Sequence, residues 1–221
     1  MGCLISPAGL VKQFGGSYAN ELGIHLFRAD QVEIQKWFLA ALLFGARISG
    51  KIAAKTYAQF QSAGIISPKE ISNAGWNELV RLLGCGGYRR YDFKTADKLL
   101  EVSNSLLQDY AGDLNMLHCL AADGPDLERR IKRLGKGVGD VTVNIFLREM
   151  RSIWPKAQPL PSKQTVQAAK ALGLIANDLA DGRAMLEALK AAAQGDGLKP
   201  EDFPDFEAAL VRYGLETRKK A

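Results

Sequence analysis

The sequence contains little cysteine and histidine, and this scarcity excludes several kinds of site. Its three cysteines are Cys3, Cys85 and Cys119, and its two histidines are His25 and His118. They form no CxxC pair and no Cys/His cluster, which structural zinc sites use, and their spacing suggests no disulfide framework. We therefore expect a reduced, cytoplasmic protein without a metal site or structural disulfides.

Long apolar runs are also missing. The run WFLAALLFGA (37–46) is much shorter than the roughly 20 residues of a transmembrane helix, and it fits a buried helix better. The opening MGCLISPAGL lacks the basic start and the full apolar core of a signal peptide. Its first six residues match the N-myristoylation pattern, with Ser6 in place, but no polybasic second anchor follows. We interpret that match as a coincidence and expect no membrane partner.

The excess of positive charge is small. The 29 Lys and Arg residues against 24 Asp and Glu give a net charge of +5 at pH 7. This charge is compatible with an anionic partner such as nucleic acid without requiring one. With 47% hydrophobic residues, the 221-residue chain has a globular composition and is long enough for one large domain or two packed ones.

Strand signals are nearly absent, whereas helix signals recur along the whole chain. Asp30 is placed to cap a mostly apolar helix over 31–46, which we expect to be central and buried, and Ser49 can cap a helix over 50–63. The stretch SPKE (67–70) has the pattern of a capping box. These signals predict an all-α protein of about ten or eleven helices. The remaining predicted helices cover 76–83, 91–110, 114–122, 126–134, 140–151, 163–172, 178–193 and 204–213.

One compositional break divides the chain. The segment WPKAQPLPSK (154–163) carries three prolines within eight residues, so it cannot continue a helix. We expect it to connect a helical body over 32–153 to a C-terminal group of helices. The first thirty residues can pack with that group, which predicts a second lobe made of 1–31 and 154–221.

A glycine-rich turn separates two of the predicted helices. In RLGKGVGDVTVN (133–144), glycine can adopt a positive φ without steric cost. The backbone amides of Gly137, Val138 and Gly139 would lie at the start of the second helix, where open donors and the helix dipole favour an anion such as a phosphodiester. The Val138 side chain would point inward and hold the two helices together.

Other residues near this turn could join the same anion site. Gly135 and Lys136 lie within the turn, and Thr142 follows in the next helix. Lys132 and Arg133 add positive charge before it. The alternative is purely structural, because any pair of antiparallel helices can be joined by a glycine-rich turn with solvated lysines.

Four stretches of the chain resemble segments of one known family, and they occur in the order in which that family has them. LGKGVGDVTVNIFLRE (134–149) is similar to the hairpin of the helix-hairpin-helix base-excision DNA glycosylases, the superfamily of endonuclease III and the alkyladenine glycosylases. FLAALLFGARISGKIAAKTYAQF (38–60) resembles their central buried helix and the helix after it. The stretch 79–114, which includes GYRRYDFKTA, and FEAALVRYG (206–214) also match. The resemblance implies two helical lobes that bind double-stranded DNA, damaged or abasic, with the hairpin on a backbone phosphate.

The chain departs from the family at its catalytic positions. Members that cleave the strand carry a lysine in the hairpin helix, where this chain has Val141. The family also relies on an aspartate shortly after that helix, but no Asp or Glu occurs from Met150 to Asn177. The matching place is occupied by PLPSKQ, with Lys163 as a candidate relocated group and Ser162 as a helix N-cap. Asp140 is the other candidate carboxylate, in a position that suits capping better.

The resemblance also sets expectations for ligands. Family members with an iron–sulfur cluster use four cysteines near the C-terminus, and no cysteine follows Cys119 here, so we expect no cluster. A monovalent cation at the hairpin is compatible with the family pattern. Ala46 takes the place of the family's base-stacking glutamine, and the adjacent Arg47 could fill the gap left by an extruded base or simply lie at the surface.

Three hypotheses follow for the function. The first is a DNA glycosylase or abasic-site lyase that uses a relocated group such as Lys163. The second is a DNA-binding protein of the repair superfamily that kept the hairpin and lost the chemistry. The third is a helical interaction module that no longer contacts DNA. We expect a monomer that binds DNA through its hairpin in a repair setting, associated with the nucleoid in a bacterium; whether it is an enzyme stays open.

Overall fold

The computed structural model describes residues 5–220, with side chains for 5–218. Cys3 and the first four residues of the myristoylation pattern lie outside this range. Within this range all regular structure is helical, which confirms the predicted all-α fold. There are twelve α-helices and one 3₁₀ turn, Pro200–Asp202. The helices are α1 (Pro7–Phe14), α2 (Tyr18–Glu21), α3 (Gln31–Phe44), α4 (Gly50–Ser62), α5 (Pro68–Gly86), α6 (Asp92–Tyr110), α7 (Leu114–Leu120), α8 (Gly124–Arg133), α9 (Asp140–Glu149), α10 (Lys163–Ala171), α11 (Gly182–Gly195) and α12 (Phe203–Lys220).

The predicted helix starts are formed by the predicted caps. The Asp30 carboxylate accepts the second and third amides of α3, and the Ser49 hydroxyl accepts an amide of α4. Ser67 and Glu70 form the reciprocal capping box at the start of α5. The capping box predicted at 67–70 and the helix predicted at 76–83 are parts of this one helix, which is kinked at Gly75, where φ is 72°. Helices α1 and α2 were not predicted. In the helical part that the structure describes, no helix is long and apolar enough to cross a bilayer.

The chain divides into two compact units, each with its own core. Residues Ile24–Leu147 form one, here called the central unit, and the described residues up to Gly23 together with those from Arg148 onward form the other, the terminal unit. The sequence placed these boundaries at residues 32 and 153. In both descriptions the start of the chain joins the C-terminal helices.

The central unit is organised around α3. Its side chains are buried on nearly every face of the helix, as expected for a buried central helix. The Trp37 indole donates a hydrogen bond to the carbonyl of Phe146 (3.1 Å), and the rings of Phe38 and Phe146 meet edge to face at 4.9 Å. Since Phe146 lies in α9, these contacts fix the helix that follows the glycine-rich turn.

The terminal unit packs α1, α10 and α11 against α12. Its apolar core includes Leu10, Leu186 and Phe206. A buried ion pair lies beside this core, with Arg151 Nε 2.5 Å from the Glu207 carboxylate, and Arg151 Nη2 also donates to the Pro159 carbonyl at 2.6 Å. The hydrogen bond from the buried Arg151 to the Pro159 carbonyl therefore holds the proline-rich segment in place.

Candidate nucleic-acid interface

The turn between α8 and α9 requires glycine at two positions for two different reasons. Gly137 has φ of 88°, in the left-handed region that residues with a Cβ avoid. Gly135 is buried, and a Cβ built on it would lie 2.8 Å from Cγ2 of Val102 in α6. The turn is thus both tightly bent and pressed against α6.

The amides of the turn do not all face outward, which corrects part of the prediction. The Val138 amide donates to the Gly135 carbonyl at 3.1 Å, because the turn closes on itself over three residues. The Lys136 amide donates to the Glu101 carboxylate of α6 at 2.9 Å. The prediction of an open amide at Val138 was therefore wrong, whereas the residue is 5% exposed, so its side chain points inward as predicted.

Two exposed amides of the turn, those of Gly137 and Gly139, remain open just before α9. Gly137 and Gly139 are both exposed, and no acceptor within residues 5–220 receives a hydrogen bond from either amide. A Cβ built on Gly139 would meet no atom within 4 Å. The two amides and the positive end of the α9 dipole form a place where an anion can be bound.

The charges beside the turn partly compensate one another. The Lys136 side chain is exposed next to the open amides, whereas the Lys132 ammonium forms an ion pair with the Asp140 carboxylate. Asp140 is the first residue of α9, and its side chain is 88% exposed. A carboxylate here favours the helix start through the dipole. Lys136 is therefore the lysine of the turn whose charge is available to an anion.

Thr142 does not contribute to this surface, and its predicted role as a phosphate contact is wrong. The residue is 2% exposed, and it packs against Gly45 at the C-terminal end of α3. A Cβ on Gly45 would lie 2.0 Å from Thr142 Oγ1 and 3.0 Å from Thr142 Cβ. The close approach of two helices, which no local pattern reveals, buries the hydroxyl. The preceding residue in α9, Val141, is exposed.

A buried lysine that was not predicted from the sequence, Lys98, packs behind the turn. Lys98 in α6 is 8% exposed, and its Nζ donates to the Leu42 carbonyl at 2.7 Å, near the end of α3. Its Cδ lies 3.7 Å from where a Cβ on Gly137 would be. Burial lowers the pKa of Lys98 from 10.5 to about 8. Its position four residues before Val102, on the apolar face of α6, is a sequence signal for burial.

Tyr88 completes the cap on α3. Its hydroxyl donates to the Leu43 carbonyl at 2.5 Å, and the residue is fully buried. Arg47 follows the end of α3 in the loop before α4, and its side chain is exposed. The loop that carries Arg47 therefore starts from a helix end held by Lys98, Tyr88 and the Gly45 contact.

The second candidate catalytic residue lies in the terminal unit. Lys163 is the first residue of α10, and its side chain is exposed. The preceding Ser162 accepts the amide of Thr165 at 3.1 Å, which confirms Ser162 as the N-cap. The terminal unit by itself does not desolvate Lys163, the condition under which a lysine becomes a good nucleophile. Its catalytic role stays a prediction.

A buried carboxylate at the end of α9 was also missed. Glu149 is 3% exposed and accepts hydrogen bonds from the Ser17 hydroxyl (2.6 Å) and from the amides of Tyr18 and Ala19 (2.9 Å each). Burial raises its pKa, although these donors and the nearby Arg148 guanidinium act in the opposite direction. Both oxygens are engaged in capping α2, so this carboxylate is structural.

The described residues contain no group of three or more His, Cys, Asp or Glu side chains that could hold a metal ion. The expectation about a monovalent cation at the hairpin stays a prediction.

Comparison with known proteins supports the fold. No protein-family model matches the chain, and no curated protein matches it in sequence. Among solved structures, the chain is similar to the crystal structure of the Helicobacter pylori 3-methyladenine DNA glycosylase MagIII bound to 1,N6-ethenoadenine. The TM-score is 0.57 at 14% sequence identity, over 96% of this chain and 93% of that one. The fold is therefore that of a helix-hairpin-helix DNA glycosylase.

Proposed function

We propose that this protein binds double-stranded DNA by its backbone through the turn of the central unit, in a DNA-repair setting. The observation that carries the proposal is the pair of open amides at Gly137 and Gly139, at the start of α9, beside the exposed Lys136. A backbone phosphate is a compact anion that accepts from such amides and is stabilised by the helix dipole. The fold shared with a DNA glycosylase supports the same assignment.

The rigid support behind the turn favours an anion site over a simple connection. The Glu101 carboxylate holds the Lys136 amide, Val102 packs against Gly135, and the Lys98 chain lies behind Gly137. Donors that are fixed before binding need no costly ordering when the ligand arrives. Contacts of this kind position DNA without reading its sequence, so we propose binding that is largely independent of sequence and sensitive to salt.

The catalytic positions support binding without cleavage. The hairpin helix carries Val141 where a nucleophilic lysine would be needed, and Asp140 is exposed and paired with Lys132. Glu149 is the last acid before the stretch without carboxylates, and both of its oxygens already accept hydrogen bonds from the start of α2. We therefore propose a protein that recognises DNA, damaged or abasic, and does not break the glycosidic bond by the family's usual groups.

The test is duplex binding by two variants at one position. Gly139→Gln and Gly139→Glu have side chains of nearly equal size at a site with open space, and they differ in charge. We expect Gly139→Glu to weaken duplex affinity by about tenfold relative to Gly139→Gln at low salt, because a carboxylate competes with phosphate for the open amides. Fluorescence anisotropy with a labelled duplex over a salt series measures this. Equal affinities, or no duplex binding by the wild type at low salt, would contradict the proposal.

A second assay separates binding from catalysis. Borohydride reduction traps a lysine that has attacked an abasic aldehyde as a stable protein–DNA adduct. We expect no adduct with abasic-site DNA from the wild type. An adduct that is lost in Lys163→Ala would instead establish the alternative, a lyase with a relocated nucleophile.

A further inference from the structure

A second basic site lies in the terminal unit, separate from the hairpin turn. A cleft of about 410 Å³ is formed by the segment after α9, the end of α11 and the 3₁₀ turn before α12. Three basic side chains line it, from Arg151, Lys190 and Lys199, and Glu201 is the one acid among the lining residues. Phe203 supplies an apolar wall.

Arg151 forms a rigid part of this cleft. The Glu207 carboxylate holds its Nε and Nη2 at 2.5 and 3.1 Å, and the Pro159 carbonyl holds Nη2 at 2.6 Å. Its remaining terminal nitrogen, Nη1, lies 3.4 Å from Oε1 of Gln158. The guanidinium is therefore fixed in orientation by buried partners while its Nη1 makes only a long hydrogen bond.

Two cations converge on a single neutral oxygen in this cleft. The Lys190 ammonium lies 3.3 Å from the same Gln158 Oε1 that Arg151 contacts, and 3.1 Å from Glu187. Hydrogen bonds between a cationic N–H and an anionic oxygen are typically about 2.7–2.9 Å long. Both contacts to the neutral Gln158 oxygen are longer and therefore weaker than that. An anionic oxygen placed between Arg151 and Lys190 would form shorter and stronger hydrogen bonds than the amide does.

We propose that this cleft binds a phosphate group between Arg151, Lys190 and Lys199. The three cations come from three separate segments of the chain, and a tetrahedral phosphate offers oxygens in several directions, whereas a carboxylate offers two in one plane. The phosphate belongs either to a small phosphorylated molecule or to a nucleic-acid backbone. The assignment does not depend on the hairpin function.

The first experiment measures inorganic phosphate binding at constant ionic strength, with chloride replaced stepwise by phosphate. Thermal unfolding of the wild type should shift upward with phosphate, and the double variant Lys190→Met/Lys199→Met should need about tenfold more phosphate for the same shift. Glu201→Gln should bind phosphate several-fold more tightly, since it removes a repelling charge. Lys12→Met, an exposed lysine of α1 outside the cleft lining, is the matched control and should behave as the wild type does.

Opposite effects at Lys190/Lys199 and Glu201 could not arise from simple loss of folding, which would shift both in the same direction. A duplex titration then identifies the source of the phosphate. If the lysine double variant loses duplex affinity, the site serves a DNA backbone; if duplex affinity is unchanged while phosphate protection is lost, it serves a small phosphorylated molecule. Equal phosphate titrations for the wild type and the lysine double variant would overturn the proposal.

Discussion

The two ends of α9 are built in opposite ways. At its start, Asp140 is 88% exposed and the amides of Gly137 and Gly139 are open. At its end, Glu149 is buried, and three donors from Ser17 to Ala19 occupy its oxygens. One helix therefore carries an acid at each end, one in solvent and one in a fully paired interior.

This difference distinguishes a surface that can take a ligand from one that serves folding. A buried ion that is completely paired is costly to disturb but has no capacity left for another molecule. An exposed helix start with open donors adds little to stability, yet it can interact with whatever anion arrives. Acids and amides must therefore be judged by which of their hydrogen bonds are already made.

The largest test breaks the paired end. Glu149→Gln puts an NH2 group where a carboxylate oxygen now accepts backbone amides, so at least one buried donor loses its acceptor. We expect a loss of about 3–5 kcal/mol in the free energy of unfolding, measured by urea denaturation. Asp140→Asn at the other end of α9 is the matched control. A loss under about 1 kcal/mol for Glu149→Gln would contradict the structural role assigned to this carboxylate.

An intermediate test concerns the support behind the open end. Burial holds the pKa of Lys98 at about 8, below the ordinary 10.5 that it regains on unfolding. Between these two pH values the unfolded chain binds more protons than the folded one, so this residue makes stability rise with pH. The full gain is on the order of 3 kcal/mol, and it is absent below pH 8.

Lys98→Met keeps the volume and removes the titrating group. We expect its unfolding free energy to rise less than that of the wild type between pH 8 and 10, with unfolding measured at closely spaced pH values. Other groups titrate in this range, but they contribute equally to both proteins. Parallel pH profiles would show that the ammonium of Lys98 is not disfavoured by burial.

The smallest effect belongs to the open end itself. Asp140→Asn removes the ion pair with Lys132 and one favourable charge at the start of α9. Because the carboxylate is largely exposed, we expect a loss below about 0.5 kcal/mol at moderate salt. The same change should strengthen duplex binding slightly, since a negative charge beside the phosphate site is gone. Weaker duplex binding by Asp140→Asn would argue against a phosphate at this helix start.

Local features of the fold could be predicted from the sequence because their causes are local. Asp30, Ser49 and Ser162 cap helices through amides two or three residues away, and the spacing alone reveals them. The inward direction of Val138 followed likewise from its place between two glycines. These interactions depend on neighbouring residues, which a single sequence displays.

The remaining features depend on distant contacts. Thr142 is buried because α3 approaches it at Gly45, and Glu149 is paired with residues about 130 positions earlier in the chain. The closure of the turn on the Val138 amide depends on its exact dihedral angles, and the hydrogen bond from Lys98 to α3 spans 56 residues. No spacing rule relates such positions, so the exposure predicted for Thr142 was wrong and the burial of Lys98 and Glu149 was not predicted.

The contact between Gly45 and Thr142 has a consequence for how closely α3 and α9 approach each other. The hydrogen on Gly45 leaves just enough room for the threonine, so the helix that leads into the Arg47 loop and the helix that follows the turn are locked in register. A residue larger than glycine at position 45 would therefore have to push α3 and α9 apart.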